Sequence, residues 1–149
     1  MIEILKRIFK AISDEYSLPS LEYTGKIDLF ELRSILMDID PECPIYFSDG
    51  IYNLCTLEDV KRFIIWDKTN LTKFHEEIFD CDDYAWRLMG NMKVLNWSSI
   101  PFGVVWTDRH ALNCFIDDTK TFYFIEPQLD LIQTKLETWQ GTKLRFISI

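Results

Sequence analysis

Cys81, His110 and Glu126 have the residue types and chain order typical of a nucleophile, its base and a group that orients the base. Cys81 lies in an acidic run, and the other two residues lie at the ends of later apolar segments. A cysteine thiol becomes a useful nucleophile when its thiolate is stabilised, and a helix N-terminus and a nearby imidazole both do this. The sequence therefore predicts a site of thiol chemistry.

The segment after Asp80 has the signals of an α-helix that begins at the thiol. Asp80 is a favourable N-cap residue, and Asp83, three residues later, completes a capping-box pattern. Residues 81–89 contain neither proline nor glycine. Apolar residues recur at helical spacing on the face that begins at Cys81, namely Ala85, Leu88, Met89 and Met92. We therefore expect Cys81 in the first turn, on the face that packs against the rest of the molecule.

Residues 110–116 and 122–126 form two short apolar segments around a polar turn, a pattern that predicts a β-hairpin. A three-residue loop places His110 directly opposite Glu126, with Cβ atoms about 5 Å apart, so that the carboxylate can accept an imidazole N–H. A loop one pair longer places His110 opposite Gln128, with Glu126 diagonal to it. Either register leaves the histidine a polar partner.

The run Phe-Asp-Cys-Asp-Asp-Tyr-Ala at 79–85, followed by His-Ala-Leu-Asn at 110–113 and Ile-Glu-Pro-Gln at 125–128, resembles a known family. It is similar to the papain-like protease domain of the Marasmius oreades mushroom agglutinin and its phage and bacterial relatives. It resembles more distantly the bacterial transglutaminase-like cysteine proteinases. The resemblance covers roughly the second half of the chain, and the sugar-binding repeats of the agglutinin are absent from the sequence. It implies that Cys81 is the nucleophile, His110 the base and Glu126 the orienting residue.

The function implied by this resemblance is that of a cysteine peptidase acting on peptide or protein substrates. His110 would take the proton of Cys81, the thiolate would attack a carbonyl, and water would hydrolyse the thioester. Glu126 would hold the imidazole tautomer, and the backbone N–H of Cys81 would contribute to an oxyanion hole, with Gln128 or Trp66 as the second donor. The same groups also perform transamidation and deamidation, so an acyl transferase is an alternative. A non-catalytic acidic module that binds calcium or another protein is a second alternative.

The resemblance also implies calcium dependence, with the carboxylates of Asp80, Asp82 and Asp83 beside the cysteine as ligands. Local charge supports this expectation, because five carboxylates between residues 76 and 83 disfavour a thiolate, and a bound divalent cation would reverse the local field. The sequence has no EF-hand loop pattern, so separate segments would have to supply the oxygen ligands. The alternative interpretation of this run is a solvated face and a helix cap.

The composition of the chain argues against several classes of function. The net charge of −8 over 149 residues argues against binding to nucleic acid or to an anionic membrane as the main activity. Four scattered cysteines do not form a disulfide pattern, so a reducing, cytoplasmic compartment is expected. No apolar run has the length of a membrane span, and the N-terminus lacks the apolar region of a signal peptide. The length predicts one domain over residues 1–149.

Hydrophobic periodicity predicts helices first and a sheet afterwards. An amphipathic helix is expected at 2–12, interpreted as an ordinary packed helix rather than a membrane-surface helix. A second is expected at 29–39, and a third after Thr56, with Asp59 at the capping-box position. Segments 45–47 and 51–54 predict a small hairpin that turns at Asp49-Gly50, and further strands are expected at 103–106 and 144–149. The predicted fold class is α+β and papain-like, with N-terminal helices and the nucleophile helix packed on a mostly antiparallel sheet.

Overall fold

The computed structural model describes the backbone of residues 1–149 and all side chains except those of residues 14–16. Its α-helices are α1 (Ile2–Tyr16), α2 (Leu29–Ile39), α3 (Leu57–Trp66) and α4 (Cys81–Met92). Its strands are β1 (Gly25–Asp28), β2 (Ile45–Tyr46), β3 (Ile51–Leu54), β4 (Phe102–Thr107), β5 (Ala111–Ile116), β6 (Phe122–Glu126), β7 (Leu131–Gln133) and β8 (Leu144–Ser148). Short 3-10 helices lie at Thr69–Leu71, Trp97–Ser99 and Thr138–Gln140.

The main sheet has six strands in the order β2-β8-β4-β5-β6-β7, and β1 pairs with β3 in a separate two-stranded sheet. Its neighbours run antiparallel except for β2 and β8, which are parallel. One face packs against α2 and the small sheet, through residues that include Leu36, Leu112 and Phe124. The opposite face packs against α3 and α4. The predicted mixture of helices with a mostly antiparallel sheet is therefore confirmed.

Three helices begin where the sequence predicts. The carboxylate of Asp28 accepts the N–H groups of Phe30 and Glu31 at 2.9 Å, which starts α2. At α3, the capping box between Thr56 and Asp59 is formed in both directions. Such caps satisfy N–H groups that have no partner inside the helix, so the local sequence is sufficient to place these boundaries. The third of these helices, α4, begins at Cys81.

The predicted hairpin at 45–47 and 51–54 is wrong. Strand β2 pairs with β8, with Ile45 beside Ile147, and β3 pairs with β1, with Tyr52 beside Ile27. The hydroxyl of buried Tyr52 donates to the carbonyl of Ile149 at 3.0 Å, and this bond ties the segment to the C-terminal strand. The Asp-Gly pair favours a turn, but long-range pairing partners decide which strands that turn separates.

Helix α1 also differs from the prediction, since it does not pack against the sheet or the other helices. Every side chain described for it, from residue 2 to residue 13, is exposed. Its apolar side chains are included, with Phe9 exposed by 69% and Ile2 by 71%. Among the described residues, no helix is both long enough and apolar enough to cross a membrane.

Asn113 fixes the packing of α4 on the sheet, and Gly103 allows β4 and β8 to approach closely within the sheet. The side-chain amide of buried Asn113 on β5 donates to the carbonyl of Ala85 in α4 at 2.9 Å and to that of Gly103 in β4 at 3.1 Å. At Gly103 the backbones of β4 and β8 approach so closely that a Cβ atom would lie 2.2 Å from the carbonyl oxygen of Ser148. Only glycine fits there without displacing the C-terminal strand.

Gly103→Ala should therefore lower the free energy of unfolding by about 1–3 kcal/mol, because the added methyl group meets backbone atoms that cannot move aside cheaply. Gly90→Ala is the matched control. Gly90 lies in α4 with open space around its Cα, so alanine should stabilise the protein by roughly 0.5–1 kcal/mol. Urea unfolding followed by circular dichroism measures both changes. Equal effects of the two substitutions would contradict this account of the sheet.

Candidate thiol site

Cys81 is the first residue of α4, and its side chain is half-buried. The carboxylate of Asp83 accepts the backbone N–H of Asp80 at 3.1 Å, which is the predicted capping contact. The side chain of Cys81 packs beside Ala85, Val104 and Ala111 at the interface of α4 with the sheet. The thiol thus lies at the positive end of a helix dipole, where a thiolate is favoured.

His110 follows a tight turn between β4 and β5. The hydroxyl of Thr107 accepts the backbone N–H of His110 at 2.9 Å and that of Arg109 at 3.1 Å, which fixes this turn. Nε2 of the imidazole is 2.7 Å from Oε2 of Glu126, and the ring borders the same cleft as Cys81. Because Nε2 faces Glu126, Nδ1 is the ring nitrogen available to the thiol.

The hairpin has the longer of the two predicted registers. Cys114 pairs with Phe124 and Ile116 with Phe122, so Glu126 lies diagonal to His110 rather than directly opposite it. The carboxylate still reaches the ring, because diagonal neighbours on one face of a sheet lie within reach of long side chains. The structure therefore brings together Cys81, His110 and Glu126, three of the four residues predicted to be catalytic.

Glu126 is completely buried, yet its carboxylate is well supplied with donors. Oε2 accepts from Nε2 of Gln140 at 3.1 Å as well as from His110, and Oε1 accepts from the backbone N–H of Gln128 at 3.3 Å. A buried carboxylate without such partners would cost several kcal/mol, so these donors are what allow a charge at this position. Gln140 is itself held, since its Oε1 accepts the N–H of Glu137 at 2.9 Å.

These contacts change the pKa of His110. Burial alone lowers it, but the hydrogen bonds and negative charges of Cys81 and Glu126 outweigh burial and raise the pKa to about 9. The imidazole is therefore cationic at neutral pH, and a cation beside the thiol favours the thiolate. Burial, reinforced by nearby aspartates, raises the pKa of Cys43 to about 11 and that of Cys55 to about 12, and burial also raises the pKa of Cys114. Cys81 is also the one cysteine of the four that is not buried.

The thiol opens into a cleft of about 270 Å³. Its walls are formed by Cys81 and Asp82 from α4, the segment Trp106–Ala111, and Arg145 from β8. Arg109 and Arg145 are both exposed at this cleft, although the chain as a whole has a net charge of −8. The lining also includes Asp108, whose carboxylate lies 4.0 Å from Nε of Arg109, whereas Arg145 has no carboxylate partner among the described residues. Arg145 is therefore the cation of the cleft that suits a ligand carrying negative charge.

The acidic residues beside the thiol divide into two groups. A carboxylate oxygen of Asp80, the sulfur of Cys81 and a carboxylate oxygen of Asp82 lie within 4.8 Å of one another. The interaction between the two neighbouring carboxyl groups lowers the pKa of Asp80 and raises the pKa of Asp82. Asp83 is engaged in capping α4. A cation would therefore be held by Asp80 and Asp82, with Asp83 acting on the helix.

The remaining predicted residues lie elsewhere or act through the backbone. Gln128 donates its backbone N–H to Glu126 and is not among the described residues that line the cleft. Trp66 packs against Phe63 and lines a different groove. His75, the second histidine of the chain, is exposed. Thus neither predicted side chain for a second oxyanion donor lines the cleft.

Several residues of the site were not predicted from the sequence. Gln140 binds Glu126, and the ring of half-exposed Trp139 lies 5.1 Å from that of His110, both from the 3-10 helix at Thr138–Gln140. Trp106 and Arg145 line the cleft. The pattern Glu137-x-x-Gln140 is a capping box, and it was the one local signal that marked the 138–140 segment as structured. Nothing in the local sequence links Arg145 to Cys81.

Comparison with known proteins finds similarity at the level of structure. No protein-family model and no curated protein sequence matches the chain. The complex of PSL1a, the Polyporus squamosus lectin, with E64 matches with a TM-score of 0.70 and 21% identity. It covers 83% of this chain and 50% of the PSL1a chain. The same lectin bound to the human-type influenza-binding epitope Neu5Aca2-6Galb1-4GlcNAc gives a TM-score of 0.67 and 21% identity, and covers 83% of this chain and 49% of that chain. The chain thus spans about half the length of these structures and shares their fold.

These findings correct the predicted family and activity. The similar structures are those of a lectin rather than of a protease or transglutaminase. The assignment of the chain to papain-like cysteine proteases is therefore withdrawn, together with the predicted cysteine peptidase activity and a peptide substrate. The catalytic triad and thiol protease descriptions that followed from this assignment are withdrawn as well. The sequence resemblance rested on three short runs, and such runs establish a local arrangement of side chains rather than a reaction.

The raised pKa of His110 can be measured directly. In a pH titration by NMR, the His110 ring should titrate near pH 9, well above the ordinary histidine value of 6.5. Glu126→Gln keeps the size of the side chain but removes its charge, so it should shift this titration to lower pH. Gln140→Leu should shift the titration of His110 by a smaller amount, because Gln140 does not touch the ring directly. His75→Asn assigns the two histidine signals, and an unshifted His110 in Glu126→Gln would contradict the proposed cause.

Proposed function

We propose that this chain binds a ligand covalently through the thiol of Cys81, in the cleft that His110 and Arg145 border. The observation that carries the proposal is the position of the His110 ring, which borders the same cleft as Cys81 and contacts buried Glu126 through Nε2 at 2.7 Å. The ligand class that suits this site is a small molecule with an electrophilic carbon and a negatively charged group. We also propose that residues 1–149 form one domain. Its arrangement, with N-terminal helices and α4 packed on the sheet, is the feature that suggested a papain-like fold.

The chemistry needs only groups that the site contains. Before the ligand reacts, the imidazolium of His110 already holds the proton that the Cys81 thiol has given up, and Glu126 stabilises this imidazolium. The thiolate forms a carbon–sulfur bond with the ligand, and the electron pair of the broken bond leaves on oxygen or halide. When the acceptor is oxygen, the imidazolium returns the proton to it. A thiol that works in this way must stay reduced, so the expected reducing compartment is also part of the proposal.

Alkylation of the native protein tests this function. Iodoacetamide at neutral pH should add to Cys81 alone, at least tenfold faster than to an unfolded cysteine, and E64 should give one covalent adduct per chain. His110→Gln should slow both reactions, because the thiolate loses its cationic partner. Intact-mass measurement and peptide mapping identify the modified residue. Cys43→Ser is the matched control and should leave both reactions unchanged.

Reaction of Cys81 no faster than that of an unfolded cysteine would refute a nucleophilic thiol. Rapid alkylation by iodoacetamide without any E64 adduct would show that Cys81 is nucleophilic but that the cleft does not accept E64. Modification of Cys55 or Cys114 in place of Cys81 would show that the described burial of these residues is not maintained in solution.

Calcium remains a proposed ligand of the same site, held by Asp80 and Asp82. A bound cation would reduce the negative field of the two carboxylates at the thiol, so calcium should accelerate alkylation of Cys81 and a chelator should reverse this. Asp82→Asn should abolish the acceleration. Asp83→Asn should retain it, because the amide oxygen can still cap α4. If calcium does not change the alkylation rate in any variant, the calcium proposal is wrong, and these aspartates only cap α4 and face solvent.

Binding of a sialylated glycan is a second candidate, favoured by the arginines of the cleft. One similar structure holds an epitope that contains Neu5Ac, a sugar with a carboxylate, and Arg109 and Arg145 offer two guanidinium groups for such a carboxylate. Calorimetry with the Neu5Aca2-6Galb1-4GlcNAc trisaccharide should show binding that Arg145→Gln weakens tenfold or more. The neutral Galb1-4GlcNAc disaccharide is the control ligand. Equal binding of both sugars, or of neither, would exclude recognition of sialic acid at this cleft.

A further inference from the structure

The turn between β4 and β5, which carries His110, is not held by the strand ladder alone. The pairing of β4 with β8 is interrupted by a register shift between Trp106 and Thr107, so the ladder is irregular where the turn begins. Irregular pairing of this kind is common beside functional sites, where it redirects a side chain. Other contacts fix the turn, and they come from the clamp, which is the segment 140–143 just before β8.

Asp108 lies in this turn and binds the clamp with both its side chain and its backbone. Oδ1 accepts the backbone N–H of Thr142 at 2.8 Å and that of Lys143 at 3.2 Å. In the other direction, the backbone N–H of Asp108 donates to the carbonyl of Lys143 at 2.9 Å. Hydrogen bonds to a carboxylate are stronger than those between neutral groups. The N–H groups of Thr142 and Lys143 hold the pKa of Asp108 below its ordinary value, so the carboxylate is ionised throughout the neutral range.

Thr107 connects the same clamp to His110. Its buried hydroxyl donates to the carbonyl of Gln140 at 2.5 Å, which leaves the lone pairs of the oxygen for the backbone N–H groups of Arg109 and His110. The backbone of His110 is therefore tied to the clamp through one hydroxyl. Gly141 permits this close approach, because its φ of +115° suits glycine and a Cβ atom there would lie 2.4 Å from Oγ1 of Thr107.

We propose that Asp108 is a positioning residue of the thiol site, which acts through the clamp to hold the His110 ring against Glu126. This role rests on the proposed function, because His110 is the base of that same site. The distance from Nε2 of His110 to Oε2 of Glu126 is 2.7 Å, and the side chains of a functional site must be held within roughly 0.5 Å of their working geometry. A turn released from the clamp would weaken this contact, which is one of those that raise the pKa of His110.

Two substitutions of Asp108 separate positioning from a simple effect of charge. Asp108→Ala and Asp108→Asn both remove the negative charge, but the amide oxygen of Asp108→Asn can still accept the two N–H groups of the clamp. Asp108→Ala should slow alkylation of Cys81 by iodoacetamide about tenfold, and should lower the pH at which the His110 ring titrates in NMR by about half a pH unit or more. Asp108→Asn should keep most of the wild-type rate and titration.

Gly141→Ala tests the clamp without changing Asp108. The added methyl group would push the clamp away from Thr107, so both measurements should change in the direction seen for Asp108→Ala.

Asp28→Ala is the matched control. The carboxylate of Asp28 also accepts two backbone N–H groups, at the start of α2, so its loss removes the same kind of contact elsewhere in the chain. The alkylation rate of Cys81 and the titration of His110 should both stay at their wild-type values. Urea unfolding shows whether the two alanine variants lose comparable stability.

Equal changes in Asp108→Ala and Asp108→Asn would overturn the proposal, because charge rather than the clamp would be the cause. An unchanged His110 titration in Asp108→Ala, or a change of the same size in Asp28→Ala, would also contradict it. The titration does not require a reactive thiol. If wild-type Cys81 reacts slowly while the His110 titration still moves in Asp108→Ala alone among the Asp108 and Asp28 variants, the proposed function is wrong and the role of Asp108 stands.

Discussion

The contact between the buried carboxylate of Glu126 and the imidazole of His110 is the constraint on which the rest of the site depends. A carboxylate with no exposed surface needs donors, and the chain supplies them from His110, Gln140 and the backbone of Gln128. This requirement brings the 3-10 helix at Thr138–Gln140 over the ends of β5 and β6. The carbonyl of Gln140 in turn accepts the hydroxyl of Thr107, which shapes the turn before His110. One buried charge thus positions two separate segments around the ring.

The thiol is positioned by the packing of α4 rather than by the polar network. Asn113 joins α4 to β4 through two carbonyl groups, and Gly103 lets β8 approach β4 closely enough to complete the sheet. The cleft therefore lies at a junction between rigid elements, which is where side-chain geometry is held most accurately. Arg145 reaches the same cleft from β8, so the C-terminal strand contributes both to the core and to the surface that a ligand meets.

Electrostatics at the site combine opposing contributions. Asp80 and Asp82 place negative charge beside Cys81, whereas the helix N-terminus, the cationic His110 and the arginines of the cleft oppose it. Shared fold with a lectin at 21% identity does not decide which ligand this balance serves, because the same fold supports different chemistry through different side chains.

The sequence by itself determined the local features. The caps at Thr56 and Asp80 placed two helix starts, and the run around Cys81 with His110 and Glu126 identified three residues that do meet, since capping and short-range periodicity depend on neighbours in the chain. It did not determine strand pairing, which is why the hairpin predicted at 45–47 and 51–54 was wrong and why two registers remained open for His110. Pairing is set by hydrophobic surfaces that come together only in the folded chain. Tertiary structure alone decided that Gln140 supports Glu126, that Arg145 borders the cleft and that α1 is left unpacked, because each depends on residues far apart in the chain.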